Sequence, residues 1–346
     1  MFARFMRGRT AFRHVVAVAL GVTLIYAVIV GLKIGGERLS LWVDDLGLAF
    51  AAAAGGAAAM FVARRRTDRT RRGWQLIAAA SLLWSAGEIS WSFYELILNH
   101  DMPFPSWADA FYLAGTAAAV MAVVFLGSDG QMGSLRRFLD GCILGGSLLL
   151  VSWVVVLQDV VKTSHDGSFA LGVSLAYPIG DVITLAVVIS IASHSRRRGR
   201  QAMMILAVAM MLQAVTDSLF VGLAAHNAYT GGLIDTGWFL GYLLIGVAAL
   251  RDLSTRAEAE PPSERARFAN IMIPYGAAVG SLGIRMMQEV LNHNGPFLFW
   301  CGGAIIVMVL GRLMLTIADN LSLARSLEHK VEKRTAELAS TERLFR

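Results

Sequence analysis

Charge is scarce in this chain. Asp, Glu, Lys and Arg make up 16% of its 346 residues, against 56% hydrophobic residues, and the mean hydropathy is +0.57, a balance outside that of ordinary soluble domains. Cysteine is nearly absent. The two that occur, Cys142 and Cys301, cannot build a disulfide framework: they fall near opposite ends of their apolar segments, roughly 20 Å apart in depth at ~1.5 Å rise per residue, beyond disulfide reach. Both read as small apolar packing residues. None of the seven histidines falls at the centre of an apolar segment, which argues against a haem held by paired histidines. No strand precedes Gly55 and Gly56 and no lysine follows them, so they form no phosphate loop. With no His, Cys and Asp cluster and no metal-ligand spacing, the chain carries no catalytic motif, implies no cofactor and reads as something other than an enzyme.

What is present in quantity is apolar sequence. About ten segments of roughly 20 residues recur, at about 15–33, 43–63, 74–98, 107–127, 139–161, 174–194, 201–225, 233–250, 269–291 and 296–318. Such a length spans the ~30 Å hydrocarbon core of a bilayer as a helix. The basic residues alternate between loops. One side receives Arg4 to Arg13, Arg64 to Arg72, Arg136 and Arg137, Arg196 to Arg200, and Arg251 to Arg267, whereas the other keeps Lys33, Arg38 and Lys162. The positive-inside rule then puts both termini in the cytoplasm, which requires an even number of spans. The net charge of +6 is read as attraction to anionic lipid, not to nucleic acid. The basic segment before the first span resembles a signal peptide, but its apolar run is long and no small-residue cleavage site follows, so the span is retained. The expectation is an all-α polytopic membrane bundle of about ten spans over residues 1–318. A cytoplasmic helix follows over 319–346.

Carboxylates inside spans are the chemically loaded residues, because an acid near the bilayer centre costs ~2.5–3.5 kcal/mol on insertion scales. Glu88 and Asp217 should therefore face the bundle interior with partners. Trp84, Glu88, Trp91 and Glu95 share one helical stripe at i, i+4, i+7 and i+11. Two acids and two indoles on one face fit a pocket for a cationic or hydrogen-bonding ligand, or a structural polar network with anchoring aromatics. An internal repeat is visible: Asp109, Tyr112 and Gly115 in one hairpin match Asp235, Trp238 and Gly241 in another, with Glu88 and Asp217 in the preceding spans. Asp44, Asp45, Asp109 and Asp235 read as helix-start acids, and Ser106 with Asp109 has capping-box spacing. Asp181 lies several residues inside its span after Tyr177 and Pro178 and is a pocket candidate. His100, His165, His226 and His293 fall one in each of four outer loops, a candidate proton- or metal-sensing ring set against chance placement. Arg285 and Glu289 form an i, i+4 pair. Span two supplies small faces for helix contact through Ala51, Gly55 and Ala59.

At the C-terminus, Ile317, Asn320, Ala324, Leu327, Val331, Arg334, Leu338, Thr341 and Phe345 follow alternating three and four spacing. That is a heptad seam with polar interruptions, continuous with the last span, and a parallel homodimer through Ala324, Leu327, Val331 and Leu338 would order it. An amphipathic helix lying on the membrane is the alternative.

The string from Leu323 to Arg346, LARSLEHKVEKRTAELASTERLFR, resembles the signalling helix that joins a last membrane span to a PAS domain in bacterial sensors. PSWADAFYLAG (Pro105 to Gly115), LAYPIGDVITLAV (Leu175 to Val187) and GWFLGYLLIGVAAL (Gly237 to Leu250) are similar to the multi-span sensor regions of cyclic di-GMP proteins with GGDEF and EAL domains. The resemblance implies a sensory and dimerising module feeding a cyclic di-GMP output, although the sequence itself contains neither motif. Signalling helices also feed histidine kinases, and the repeat with buried acids suits a small-molecule transporter. The topology yields a direct expectation: cysteines introduced at Thr70 and Ser263 are protected from an impermeant thiol reagent in intact cells, and one at Ser168 reacts. Labelling at Thr70 from outside would overturn the ten-span reading.

Overall fold

The computed structural model describes residues 9–68, 70–100, 102–126, 135–163, 167–194, 197–225, 229, 231–254, 264–290 and 296–345. These are helical almost throughout, with no strand among them. The first three helices are α1 (Arg9–Gly31), α2 (Glu37–Ala63) and α3 (Thr70–Ser92, continued by a π-helical turn Phe93–Leu98). Next come α4 (Trp107–Leu126) and α5 (Leu135–Ser152, continued through a π-helical turn Trp153–Leu157 and Gln158–Thr163). The remainder are α6 (Ser168–His194), α7 (Arg197–Ala225), α8 (Thr236–Ser254, entered by a 3-10 turn Leu233–Asp235), α9 (Glu264–Val290) and α10 (Pro296–Phe345).

Seven helices, α1, α2, α5, α6, α7, α8 and α10, hold segments long and apolar enough to cross a membrane, and α4 holds a shorter apolar stretch, Trp107–Val123. The sequence suggested ten. Helix α3 falls below the apolar average because Ser81, Ser85, Glu88 and Ser92 lie on it, all buried. A helix enclosed by protein does not need an apolar circumference. The outer surface shows the complementary pattern. Leu24, Phe50, Val279, Met286, Trp300 and Val307 are exposed, whereas Ala51, Ala52 and Ala59 are fully buried. Large apolar side chains outward and small residues inward is the distribution a bilayer favours.

Six helices close a ring. Helix α3 packs between α2 and α4, and α7 between α6 and α8; α2 then closes on α8, and α4 on α6. Close approach depends on glycine at two corresponding corners. A Cβ at Gly55 would lie 2.5 Å from the Tyr242 carbonyl oxygen, and one at Gly180 would lie 2.6 Å from Cγ2 of Thr116. Helix α1 covers α2 and α8, with Tyr26 stacked on Phe239 at 4.0 Å between ring centroids.

Outside the ring, α5 packs on α6, α9 and α10 around Ile143, Leu150, Ala278, Leu298 and Ile305. Helices α5 and α10 run antiparallel, since Asp140 meets Arg312 while Trp153 stacks on Phe297. This pairing brings the cysteines nearer in depth than the sequence suggested: the Cys301 thiol lies 3.7 Å from the Gly146 carbonyl, one turn along α5 from Cys142, and both cysteines are free.

Two ionic contacts tie distant helices at one end of the bundle. Nη2 of Arg66, just beyond α2, donates to Oδ2 of Asp252 on α8 at 2.6 Å, and the Trp74 indole donates to the same oxygen at 3.0 Å. Arg312 of α10 donates through Nε to Oδ1 of Asp140 on α5 at 2.7 Å and through Nη2 to Oδ2 at 3.4 Å, with Nη1 on Thr316 at 2.5 Å. Arg312 and Asp140 are both buried, at 7% and 4% relative exposure. Removing one partner leaves an uncompensated charge, so Asp140→Leu should destabilise the protein by ~3–5 kcal/mol. The double variant Asp140→Leu/Arg312→Met should recover most of the loss, as read by thermal unfolding of the purified protein. A double variant as unstable as the single would show that the pair is not the source of the effect.

Candidate functional site

Within the six-helix ring a cavity of about 50 Å³ lies between α3, α4, α6, α7 and α8, room for a few water molecules. Trp84, Asp181, Gln213, Asp217, Trp238 and Tyr242 are among its walls. Helix α6 delivers Asp181 three residues after Pro178, whose missing N–H leaves the Ser174 carbonyl without its helical donor. Helix α7 delivers Asp217. Its Oδ1 accepts the Trp238 indole N–H at 2.8 Å, and the Asp181 carboxyl lies within hydrogen-bonding reach of the Asp217 carboxyl, with Oδ2 of Asp181 buried and without a partner. A hydrogen bond between two carboxyls requires a proton on one of them.

The first hairpin repeats the arrangement. Oε1 of Glu88 on α3 accepts the Tyr112 hydroxyl of α4 at 2.7 Å, and the Tyr112 ring covers Gly87, where a side chain would collide with it. In both hairpins the aromatic residue three positions after the helix-start Asp thus reaches the acid of the preceding helix. The glycines correspond as well. A Cβ at Gly115 would lie 3.1 Å from the Ala80 carbonyl oxygen, and one at Gly241 3.3 Å from that of Ala209; Ala80 and Ala209 each precede the hairpin's acid by the same number of residues. The correspondence extends to a third helix, because Gly55 of α2 meets Tyr242 and Gly180 of α6 meets Thr116, each four residues beyond the aromatic donor of the opposite unit. Two three-helix units, α2 to α4 and α6 to α8, therefore face each other about a pseudo-two-fold axis, with the cavity between them.

The aromatic and acidic stripe on α3 does not form a single wall. Trp84 lies at the cavity, with ring centroids 4.6 Å from Tyr242, 5.3 Å from Tyr112 and 6.1 Å from Trp238. Glu88 is buried behind it against Tyr112, and the Trp91 indole donates to Oε2 of Glu95 within the same helix end at 2.6 Å. Asp109 forms the expected capping box, accepting the Ser106 N–H at 2.6 Å and the Ser106 hydroxyl at 3.0 Å; its other oxygen accepts the Tyr177 hydroxyl of α6 at 2.6 Å.

Asp44 and Asp45 are not helix-start residues. Helix α2 begins at Glu37, after Gly36 at φ +93°, so both acids lie two turns inside and are buried. Asp44 accepts the Tyr26 hydroxyl and the Gly232 N–H, and its carboxyl lies within hydrogen-bonding reach of that of Asp235. Asp235 is fully buried and accepts the Tyr229 hydroxyl at 2.9 Å. A second carboxyl pair thus joins α2, two turns inside its start, to the entry of α8.

Of the four outer-loop histidines, His100 follows the left-handed Asn99 and its N–H bonds to the Tyr94 carbonyl at 3.2 Å; His165, His226 and His293 lie outside the described residues. Among the described residues, no group of three His, Cys, Asp or Glu side chains is placed to hold a metal. Arg285 and Glu289 pair at 3.7 Å. Sequence reasoning overlooked Gln213, Tyr242, Tyr26 and the Asp140–Arg312 pair. Gln213 was within reach, since it precedes Asp217 by the four residues that separate Trp84 from Glu88.

The chain matches no protein-family model, no curated protein and no solved structure.

The matched donors make matched predictions. Tyr112→Phe and Trp238→Phe each remove one hydrogen bond to a buried acid and should lower stability, Tyr112→Phe by ~0.6 kcal/mol, up to ~1.7 kcal/mol, and Trp238→Phe by more, because it also leaves space where the indole packs on Trp84 and Phe220. Thermal unfolding in detergent measures both. A loss at one position and none at the other would mean the two hairpins are not energetically equivalent.

Proposed function

We propose that this chain is a membrane-embedded sensory and dimerising module, with about ten spans and both termini cytoplasmic in a bacterial inner membrane, that passes a signal to a cyclic di-GMP synthesis or hydrolysis output. The observation that carries the reading is α10, which runs unbroken from Pro296 to Phe345 over 50 residues, about 75 Å at ~1.5 Å per residue. Its first part packs against α5 and α9, and its last part leaves the bundle. Ala324, Leu327 and Val331 are exposed there, the two larger side chains at 53% and 64%; the side chain of Leu338 lies outside the described ones. A stripe of apolar residues on a helix surrounded by water gains stability by pairing with a second copy, and the seam matches a parallel two-stranded coil. The same helix serves a histidine kinase equally well.

The seam starts at Ile317, just after Arg312 and Thr316, so the buried ion pair with Asp140 lies at the base of the exit helix. Rearrangement of the ring reaches α10 through α5, which contacts both. A transporter is the second reading, favoured by the two three-helix units with a cavity at their interface. Uptake of substrate by proteoliposomes would support it over the sensory reading.

Cysteine crosslinking tests the dimer. Leu327→Cys should crosslink to its own copy far more readily than Glu328→Cys or Lys330→Cys, which lie off the seam. Equal crosslinking at all three positions would remove the proposed register, and with it the coil as the output element.

A further inference from the structure

We propose that the cavity between the two three-helix units binds a small alkylammonium ion, its cationic head at the Asp181 and Asp217 carboxyls and its alkyl part against the rings of Trp84 and Tyr242. The site deepens the sensory reading by naming the chemical class of the stimulus, and it rests on that reading only for its physiological role.

Four observations converge on it. Among the described residues, no lysine, arginine or histidine contributes to the cavity wall, so the two carboxyls meet there without a described protein cation. Trp238 fixes Asp217 through Oδ1, which leaves the pair to share a proton through its other oxygens. Ser81, 1% exposed, also lines the cavity, and its hydroxyl has no hydrogen-bond partner. A buried hydroxyl so left is the exception in folded proteins and awaits a donor or acceptor from a guest. The aromatic wall supplies the last element, since Trp84 packs at 4.6 Å on Tyr242 and 6.1 Å from Trp238. Ring faces beside carboxylates favour an alkylated ammonium over a bare metal ion. The volume of about 50 Å³ limits the guest to a few non-hydrogen atoms.

Charge balance dictates an exchange. The empty pair holds one proton and carries one negative charge; an entering ammonium replaces that proton, which leaves to water, and two carboxylates with one cation again carry one negative charge. The other titratable groups turned toward the pair are Tyr177 of α6 and Tyr242 of α8, with Glu88 of α3 and Tyr112 of α4 behind Trp84. The three tyrosines are phenols that keep their protons at neutral pH, and the Glu88 carboxyl is already engaged by the Tyr112 hydroxyl, so the displaced proton goes to water.

The full chain, purified in detergent, is titrated with ethylammonium, sodium and ethanol, following heat, tryptophan fluorescence and proton release in weak buffer. Ethylammonium is expected to bind saturably, to release one proton per ion and to change the tryptophan emission, while ethanol and sodium do not saturate. Asp181→Asn and Asp217→Asn should weaken binding by about tenfold or more, with circular dichroism showing that each variant is folded. Absence of saturable binding by the parent, binding without proton release, or equal binding of sodium or ethanol would overturn the proposal without need of any variant. Saturable binding that leaves crosslinking at Leu327→Cys unchanged would uphold the site and overturn the sensory reading. Failure of binding alongside a coil that forms as expected removes the ligand class alone.

Discussion

The interior of this bundle has to satisfy its acids with aromatic donors. Where water is excluded, an unpartnered carboxyl costs several kcal/mol. Here Tyr112 serves Glu88, Trp238 serves Asp217, Tyr177 serves Asp109, and Tyr26 and Tyr229 serve Asp44 and Asp235. Most of these bonds join two different helices, so each also fixes the rotation of one helix against another. Glycine and alanine at the crossings permit the approach, and the aromatic donors select which rotation results. Remove the donors and the ring would still be apolar enough to collapse, but it would lose the reason for one register over another.

The pseudo-two-fold arrangement follows from the same economy. Each unit offers a first helix whose glycine meets the opposite unit's third helix, Gly55 at Tyr242 and Gly180 at Thr116. The units are not identical at their acids. The first buries Glu88 behind Tyr112 and closes its space with the Tyr112 ring over Gly87; the second holds Asp217 at the cavity beside Asp181, contributed by α6 where α2 has Gly56. The asymmetry makes the cavity between the units polar on the side of the second unit, where Asp181 and Asp217 both line it.

Local patterns were legible in the chain. The capping box at Ser106 and Asp109, the Arg285 and Glu289 pair, and the aromatic at +3 from Asp109 and Asp235 are all set by helix periodicity, which a sequence displays directly. What sequence could not display was the meeting of distant faces. Asp140 and Arg312 are 172 residues apart, and neither has a local feature that marks it as a partner. Asp44 was misread because Gly36, with its positive φ, starts α2 earlier than hydropathy alone indicates, turning a supposed helix-start acid into a buried one. The stripe from Trp84 to Glu95 was correctly placed on one helix, yet the π-helical turn at Phe93–Leu98 and the neighbouring rings divide it among separate environments.

Helix α10 is also a lever. Arg312 anchors it to the bundle, and Phe345 lies 33 residues farther along the same unbroken helix, about 50 Å at ~1.5 Å per residue. A tilt of about 5° at that anchor, a sub-ångström adjustment among packed side chains, displaces the far end by about 4 Å, close to the ~5.4 Å pitch of one helical turn. The bundle can therefore stay nearly rigid, as its dense small-residue packing demands, and still move the far end of α10 by several ångströms.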